Sequence, residues 1–197
     1  MLASPFAEAL VETATAVVAG GGDLIAALDA LPAPIYVTDP EGLVTYFNRA
    51  CIGFAGRTPT VGKDRWCITW KLYTEQGAPL PHEACPMAMA LRTGGPIRGV
   101  TAIAERPDGG RVIFMPLPTP VFNADGALAG AINILIDITE YRQVAELREQ
   151  ARRCRRLVWG VSDRVTVQTL QQMAEEYDAK ACELDAAADS DRPRLVA

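Results

Sequence analysis

The only histidine in the chain, His82, stands beside Glu83 and three residues before Cys85. Imidazole and thiolate are ligands that zinc accepts, so a zinc site could combine His82 and Cys85 with the more distant Cys67. Such a site would still need another ligand and a tight spacing between two of its ligands. We therefore predict no metal site.

Groups for acid–base or nucleophilic catalysis are sparse in this sequence. No Ser-His-Asp order, phosphate-cradling glycine loop or carboxylate pair stands out, and the usual general base has His82 as its single candidate. These observations predict that the chain is not an enzyme.

The five cysteines are an odd number, and no two of them form a CxxC pair. Reduced thiols in a reducing cytosol account for such a pattern. No apolar run approaches the ~18 residues of a membrane span. A signal peptide starts with basic residues, and no Lys or Arg precedes Arg49. We expect a cytoplasmic protein with no membrane contact.

Hydrophobic periodicity and turn chemistry indicate the elements that must position these residues. Two β-rich runs come first, short helices follow, and three further strands come last, joined by turns short enough to make neighbours antiparallel. The fourth strand contains Pro116, Pro118 and Pro120, which cannot donate to a ladder, so it must bend or have an open edge there. This order predicts an α+β domain with a five-stranded antiparallel sheet and helices on one face. The predicted strands are 35–38, 43–47, 97–105, 111–122 and 128–138.

Four motifs in this order resemble PAS domains across roughly residues 24 to 140. They are a helix end and strand at 28–39, a strand at 42–47 followed by Asn48-Arg49-Ala50, the turn Asp108-Gly109-Gly110, and a strand at 130–136 followed by Asp137-Ile138-Thr139-Glu140. Segments 70–73 and 79–88 resemble PAS domains at the N-terminus of bacterial sensor histidine kinases. The kinase part is missing, because no phosphoacceptor histidine helix and no glycine-rich ATP-binding segment follows.

Two amphipathic helices are predicted after the PAS-like region. Their apolar residues step by three or four with charged residues between them, which is typical of a short coiled-coil seam, and the two helices are expected to form a hairpin. The predicted boundaries are an N-terminal helical extension at 1–22, the PAS sensory domain at 23–140, signalling helices at 141–187 and a flexible tail at 188–197.

The resemblance implies a ligand pocket beside the last strand. By period-two alternation Asn133 and Leu135 share a face, which borders the pocket in PAS sensors. Asn133 could orient a ligand, or it could pair with a neighbouring strand or helix. Trp66, Trp70 and Met115 are candidate walls. Some PAS domains bind haem through a histidine near the central helix, so His82 is a candidate axial ligand, and the cofactor stays open.

The predicted function is a sensor or adaptor in two-component-like signalling. Its sheet would relay a signal through Asp137, Ile138 and Thr139 to the helices, which would pair in a homodimer or dock on a histidine kinase or another signalling protein. The predicted pairing stripe is Tyr141, Val144, Leu147 and Ala151. The alternatives are a haem-based gas or redox sensor and a DNA-binding regulator.

The DNA-binding alternative rests on a basic run in the first signalling helix, Arg152-Arg153 and Arg155-Arg156. The second helix is acidic at Glu175, Glu176 and Asp178, which would repel phosphate, and the net charge of the chain is -5. A solvated helix flank explains the run better. We therefore do not expect a nucleic-acid partner.

Overall fold

The computed structural model describes residues 28, 29, 31 and 33–191. It divides into two compact units, and the boundary falls between Asp137 and Ile138. The predicted helical extension at 1–22 lies outside the described residues, as do residues 192–197 of the predicted tail. Among the described residues, no helix is long and apolar enough to cross a membrane.

The first unit is built on one antiparallel sheet of seven strands. The strands are β1 Ile35–Thr38, β2 Val44–Phe47, β3 Lys71–Thr74, β4 Ala102–Glu105, β5 Arg111–Pro116, β6 Thr119–Phe122 and β7 Leu128–Asp137; α1 spans Ala50–Ala55 and α2 spans Pro86–Thr93. The order of strands in the sheet is β2-β1-β7-β5-β4-β3, and β6 also pairs with β7. The two helices and a 3-10 turn at His82–Ala84 lie between β2 and β4 in the sequence.

The α+β class and the antiparallel sheet are confirmed, but the count of five strands was wrong. The predicted strand 111–122 is divided into β5 and β6 by the prolines, which interrupt the ladder after Pro116. The register with β7 continues across the interruption, from Pro116 opposite Leu135 to Thr119 opposite Ile132, and shifts only between Val121 and Phe122. The additional strand β3 lies between the second and third predicted strands, and it is defined by its pairing with the distant β4, which no local pattern encodes.

Side chains of β7 alternate between two hydrophobic layers, as the pleat requires. Ala131 and Leu135 belong to the larger layer, which includes α1 and α2 residues such as Phe54 and Met87. Ile132 and Ile134 belong to the smaller layer on the opposite face, together with Leu28. We call these the helix-covered face and the outer face of the sheet.

The second unit is a helical hairpin of α3 Thr139–Val158 and α4 Arg164–Asp191. Its small core consists of Ala151 and Cys154 from α3 with Ala174 from α4. Small side chains allow two helices to approach closely, so the hairpin needs no large apolar residue at these positions. Because α4 continues through Asp191, the predicted start of the tail at 188 lies inside the helix.

Candidate functional site

A chain of buried hydrogen bonds crosses the helix-covered face of the sheet. The hydroxyl of Tyr36 donates to the carbonyl oxygen of Trp66 at 2.9 Å and accepts from Nδ2 of Asn133 at 2.9 Å. Oδ1 of Asn133 accepts from the backbone N–H of Leu117 at 3.0 Å. Tyr36 is 0% exposed and Asn133 2%, so these bonds form away from water, where an unpaired polar group is costly.

Strand register explains why Tyr36 and Asn133 meet. They are direct cross-strand partners in the β1–β7 pair and therefore point to the same face. Leu117 lies in the interruption between β5 and β6, where its N–H also donates to the carbonyl of Ile134 at 2.9 Å. Desolvation by burial raises the pKa of Tyr36 well above its usual value, so its hydroxyl keeps the proton that it donates.

Trp66 has a left-handed backbone, with φ at 61°, and is the only non-glycine residue of positive φ in the described part of the chain. For a bulky residue this conformation is an outlier that costs on the order of 1–3 kcal/mol. It is held by a hydrogen bond from the Trp66 N–H to the carbonyl of Gly42 at 2.6 Å. The guanidinium of Arg65 also lies over the Trp66 ring, 4.6 Å from its centroid.

Gly42 makes room for this arrangement. A Cβ at Gly42 would lie 2.2 Å from Cδ1 of the Trp66 ring, and Gly42 itself has φ at +86°. Only glycine satisfies both conditions without strain. The hairpin turn between β1 and β2 therefore supports the segment that contributes Trp66.

Three buried thiols lie close to these hydrogen bonds. Sγ of Cys85 lies 3.7 Å from the Trp66 carbonyl oxygen, Sγ of Cys67 lies 3.1 Å from Oγ1 of Thr69, and Sγ of Cys51 lies 3.2 Å from the carbonyl oxygen of Ile35. Burial raises the pKa of Cys51 and of Cys85 to about 12 and also raises that of Cys67. All three are neutral thiols at physiological pH, because burial disfavours thiolate.

Thr38 adds one unsatisfied polar group to the same face. Two residues after Tyr36 on β1, its side chain points in the same direction, and it is 1% exposed. Its Oγ1 is buried without a hydrogen-bond partner. A polar atom of this kind is available to a ligand or to a water molecule.

The predicted pocket residues do not all lie together. Asn133, Leu135 and Trp66 lie on the helix-covered face. Met115 packs on the outer face, because alternation along β5 gives the inner position to Phe114. Trp70, just before β3, is 54% exposed. Met115 and Trp70 therefore do not line one pocket together with Asn133, as the sequence analysis had predicted.

His82 begins the 3-10 turn and is half-buried. Burial lowers the pKa of His82, and the positive charge of Arg57, which pairs with Asp64 at 2.9 Å, lowers it further. A neutral imidazole suits a ligand role, but it is also the ordinary state of a partly buried histidine. Within the described residues no group of three His, Cys, Asp or Glu side chains could hold a metal.

The predicted relay occupies the direct connection between the units: Asp137 ends β7, Ile138 follows, and Thr139 begins α3. The predicted pairing stripe needs correction. Ala151 is 0% exposed and packs against α4, so the intramolecular hairpin already occupies this position. Val144 is also buried, Leu147 is half-buried and Tyr141 is 59% exposed.

Most of the basic run on α3 is neutralised within the hairpin. Arg155 pairs with Asp178 of α4, and Arg152 and Arg156 both pair with Glu149. An arginine held by a carboxylate is less available to phosphate.

Tyr36, Thr38 and Gly42 were not identified from the sequence as site residues. Tyr36 offered a usable signal, since a phenol in a buried strand needs a hydrogen-bond partner on its own face. Thr38 and Gly42 offered none, because their roles depend on the left-handed Trp66 and on packing between distant segments.

Comparison with known proteins gives one family match and many structural neighbours. A family model described as PAS fold matches residues 28–143. No curated protein matches the chain. Three similar structures are a PAS domain from Colwellia psychrerythraea, the LOV domain of a blue-light activated histidine kinase from Erythrobacter litoralis, and a LOV protein from Rhodobacter sphaeroides.

The three similarities are modest in sequence and in structure. The Colwellia domain has 19% identity and a TM-score of 0.39, with 58% of this chain and 92% of that chain covered. The Erythrobacter domain has 22% identity and a TM-score of 0.43, with 55% and 97% covered. The Rhodobacter protein has 15% identity and a TM-score of 0.45, with 94% and 99% covered. At these values no chromophore, ligand or partner follows for this chain.

Proposed function

Because this chain belongs to the PAS-fold family, we propose that it is a non-catalytic signal-transduction module that passes a change in its sheet to its helical hairpin. The segment around Trp66 senses a ligand or partner, β7 carries the change, and the hairpin presents it to a partner protein or a second copy in the cytoplasm. The observation that carries this proposal is the hydrogen-bond chain from Trp66 through Tyr36 to Asn133.

The chain of bonds connects a strained segment to the strand that enters the hairpin. Trp66 holds an unfavourable backbone conformation, and its carbonyl is one partner of the Tyr36 hydroxyl. Asn133 lies four residues before Asp137, the end of β7, and one residue then separates β7 from α3. Any event that lets the Trp66 backbone relax removes the hydrogen bond between its carbonyl and the Tyr36 hydroxyl. The same hydroxyl binds Asn133, so the loss changes the contacts that hold β7. Strain of this kind is a common property of switch segments.

The same geometry supports a binding role over a catalytic one. The thiols of Cys51 and Cys85, which lie near these hydrogen bonds, have raised pKa values because they are buried, so they are poor nucleophiles. Thr38 Oγ1 supplies a neutral polar atom without a hydrogen-bond partner beside an apolar layer, which suits recognition of a small molecule. Nothing among the described residues favours haem or DNA as the main ligand.

Replacing Tyr36 with Phe tests the relay. The variant keeps the ring and removes both hydroxyl bonds, so we expect faster hydrogen exchange in residues 128–137 and at the start of α3. The measurement is hydrogen–deuterium exchange of the full chain, followed by mass spectrometry of peptides.

Tyr46→Phe is the matched control. The Tyr46 hydroxyl donates to Asp29 at 2.9 Å, and the Tyr46 ring packs against the outer-face layer. This variant should leave exchange in 128–147 unchanged. Equal exchange in wild type and Tyr36→Phe would show that the hydrogen-bond chain does not hold β7, and the proposed relay would be wrong.

A further inference from the structure

The end of the helical hairpin where α3 turns into α4 exposes apolar side chains to water. We call residues 153–165 the hairpin tip; they include the end of α3, the connection and the start of α4. Trp159 is 92% exposed, Val165 70% and Leu157 50%, and Trp159 is the most exposed large hydrophobic residue in the described part of the chain. These side chains add nothing to the small core of the hairpin, so their apolar surface is available to a partner.

The charge of the hairpin tip is basic. It contains four arginines, and two of them are held by carboxylates within the hairpin. The other two, Arg153 and Arg164, have no carboxylate partner among the described residues. The single acidic residue of the tip, Asp163, is engaged at the start of α4: its carboxylate accepts from the N–H of Thr166 at 2.8 Å and from the Thr166 hydroxyl at 2.6 Å.

Other acidic groups lie well away from the tip. The first carboxylate back along α3 is that of Glu149, and the first one forward along α4 is that of Glu175. At the rise of an α-helix, each lies about 15 Å along its helix from the connection, which is more than a Debye length at physiological salt. An anionic surface that touches the tip therefore meets unpaired arginines and apolar groups, with little repulsion from carboxylates.

The shape and size of the hairpin tip favour a bilayer surface over a protein or a small ligand. The end of a two-helix hairpin is convex, whereas small-molecule sites are concave. Its three exposed apolar side chains fall well short of the roughly 20–30 residues that each partner contributes to a standard protein interface. A bilayer surface accepts a small protruding group. Tryptophan is enriched at the headgroup level, where the indole ring is buried and its polar edge stays wet, and nearby arginines are attracted to anionic lipids.

We propose that the hairpin tip is a peripheral membrane anchor. Trp159, Leu157 and Val165 enter the headgroup region of an anionic bilayer, and Arg153 and Arg164 pair with the lipid phosphates. The contact is reversible, because three apolar side chains bury far less surface than a spanning helix does. The expected lack of membrane contact rested on the absence of a long apolar run, which a surface contact does not need. The anchor goes beyond the proposed function and does not depend on the relay.

Flotation of the full chain with lipid vesicles tests the anchor. Wild type should float with vesicles of phosphatidylcholine and phosphatidylglycerol in equal amounts, bind pure phosphatidylcholine less, and be released by added salt. Trp159→Ala should weaken binding about tenfold or more, because it removes the largest apolar group of the tip. Arg153→Gln combined with Arg164→Gln should weaken binding to the anionic vesicles by about tenfold or more and leave binding to pure phosphatidylcholine unchanged.

Trp70→Ala is the matched control, since Trp70 is also exposed, at 54%, but belongs to the sheet unit. It should bind vesicles as wild type does, and circular dichroism should show the same helix content in every variant. Lipids brominated on their acyl chains should quench tryptophan fluorescence in wild type and in Trp70→Ala but not in Trp159→Ala.

Two results would overturn the anchor. The first is wild type that binds neither kind of vesicle, which would leave a protein surface as the partner of the tip. The second is vesicle binding that Trp159→Ala does not weaken. Neither result would affect the exchange test with Tyr36→Phe, so a failure of the anchor and a failure of the relay are distinguishable.

Discussion

Trp66, the only non-glycine residue of positive φ among the described residues, also contributes its carbonyl to the central hydrogen-bond chain. Its conformation depends on the turn glycine at 42, because a side chain there would overlap the Trp66 ring. Conformational strain and polar recognition therefore coincide at one position. This coincidence is the main reason to assign sensing to the segment around Trp66.

Replacement of Gly42 by Ala should destabilise the protein by more than the left-handed backbone alone costs. Gly77→Ala is the control, because Gly77 has φ at +84° and an added Cβ there would have nothing within 4 Å. We expect about 1 kcal/mol for Gly77→Ala and roughly 1–3 kcal/mol more for Gly42→Ala, from the overlap with Trp66. Urea unfolding measures both. Equal losses would mean that the Trp66 ring moves aside without cost.

Because of its buried thiols, the first unit should have a lower free energy of unfolding at alkaline pH than at neutral pH. The pKa of Cys85 is raised by burial to about 12, whereas an unfolded cysteine titrates near ~8.5. The stabilising effect of the neutral thiol is complete below the unfolded pKa and is lost as pH rises toward the folded pKa. Between pH 7 and pH 10, wild type should therefore lose about 1–2 kcal/mol more than Cys85→Ala does.

Cys182→Ala is the control for the alkaline loss, since Cys182 is exposed. It should follow the wild-type dependence on pH. If Cys85→Ala and Cys182→Ala lose stability alike, the Cys85 thiol does not titrate differently in the folded and unfolded chain.

At the scale of elements, local pattern predicted the long strands and the hairpin but not the divisions within the sheet. The near-continuous apolar run of β7 and the turns flanking it identify a central strand from sequence alone. The prolines indicated a bend, yet only pairing with β7 shows that β5 and β6 keep a common register across it. The side chain of Asn48, just before α1, accepts from the N–H of Ile35 at 2.9 Å and donates to the carbonyl of Leu28 at 3.1 Å, and no local pattern predicts these two bonds.

The hairpin shows a similar limit of local pattern. Spacing of three and four identifies an apolar stripe but not its partner, because an intramolecular helix and a second chain require the same stripe. Contacts of Ala151 with α4 assign the stripe to the hairpin.

Ala151→Glu should open the hairpin and leave the sheet unit folded. Ala151 is 0% exposed, and a carboxylate between α3 and α4 would be buried without a partner. We expect loss of helical signal in circular dichroism and fast hydrogen exchange in 164–187, with unchanged exchange in 35–116. The exposed position Ala145 offers the same substitution as a control, and Ala145→Glu should change neither measurement.

For the whole molecule, the family and the order of elements were accessible from sequence because they depend on turns, periodicity and short motifs. The centre of the candidate site could be predicted from the sequence only in part. Asn133 stood out as a polar residue in an apolar strand, whereas its hydrogen-bond partners Tyr36 and Leu117 come from two other segments. Long-range pairing decides such a site, and no local pattern encodes it.

The most direct test of the relay is hydrogen exchange of α3 in two backgrounds. Tyr36→Phe is compared with wild type in the native chain and in a chain with two glycines inserted after Ile138, which disconnects β7 from α3. The relay predicts that Tyr36→Phe accelerates exchange in residues 139–158 only when the connection is intact. Acceleration that persists after the insertion, or none in the native connection, would contradict transmission through β7.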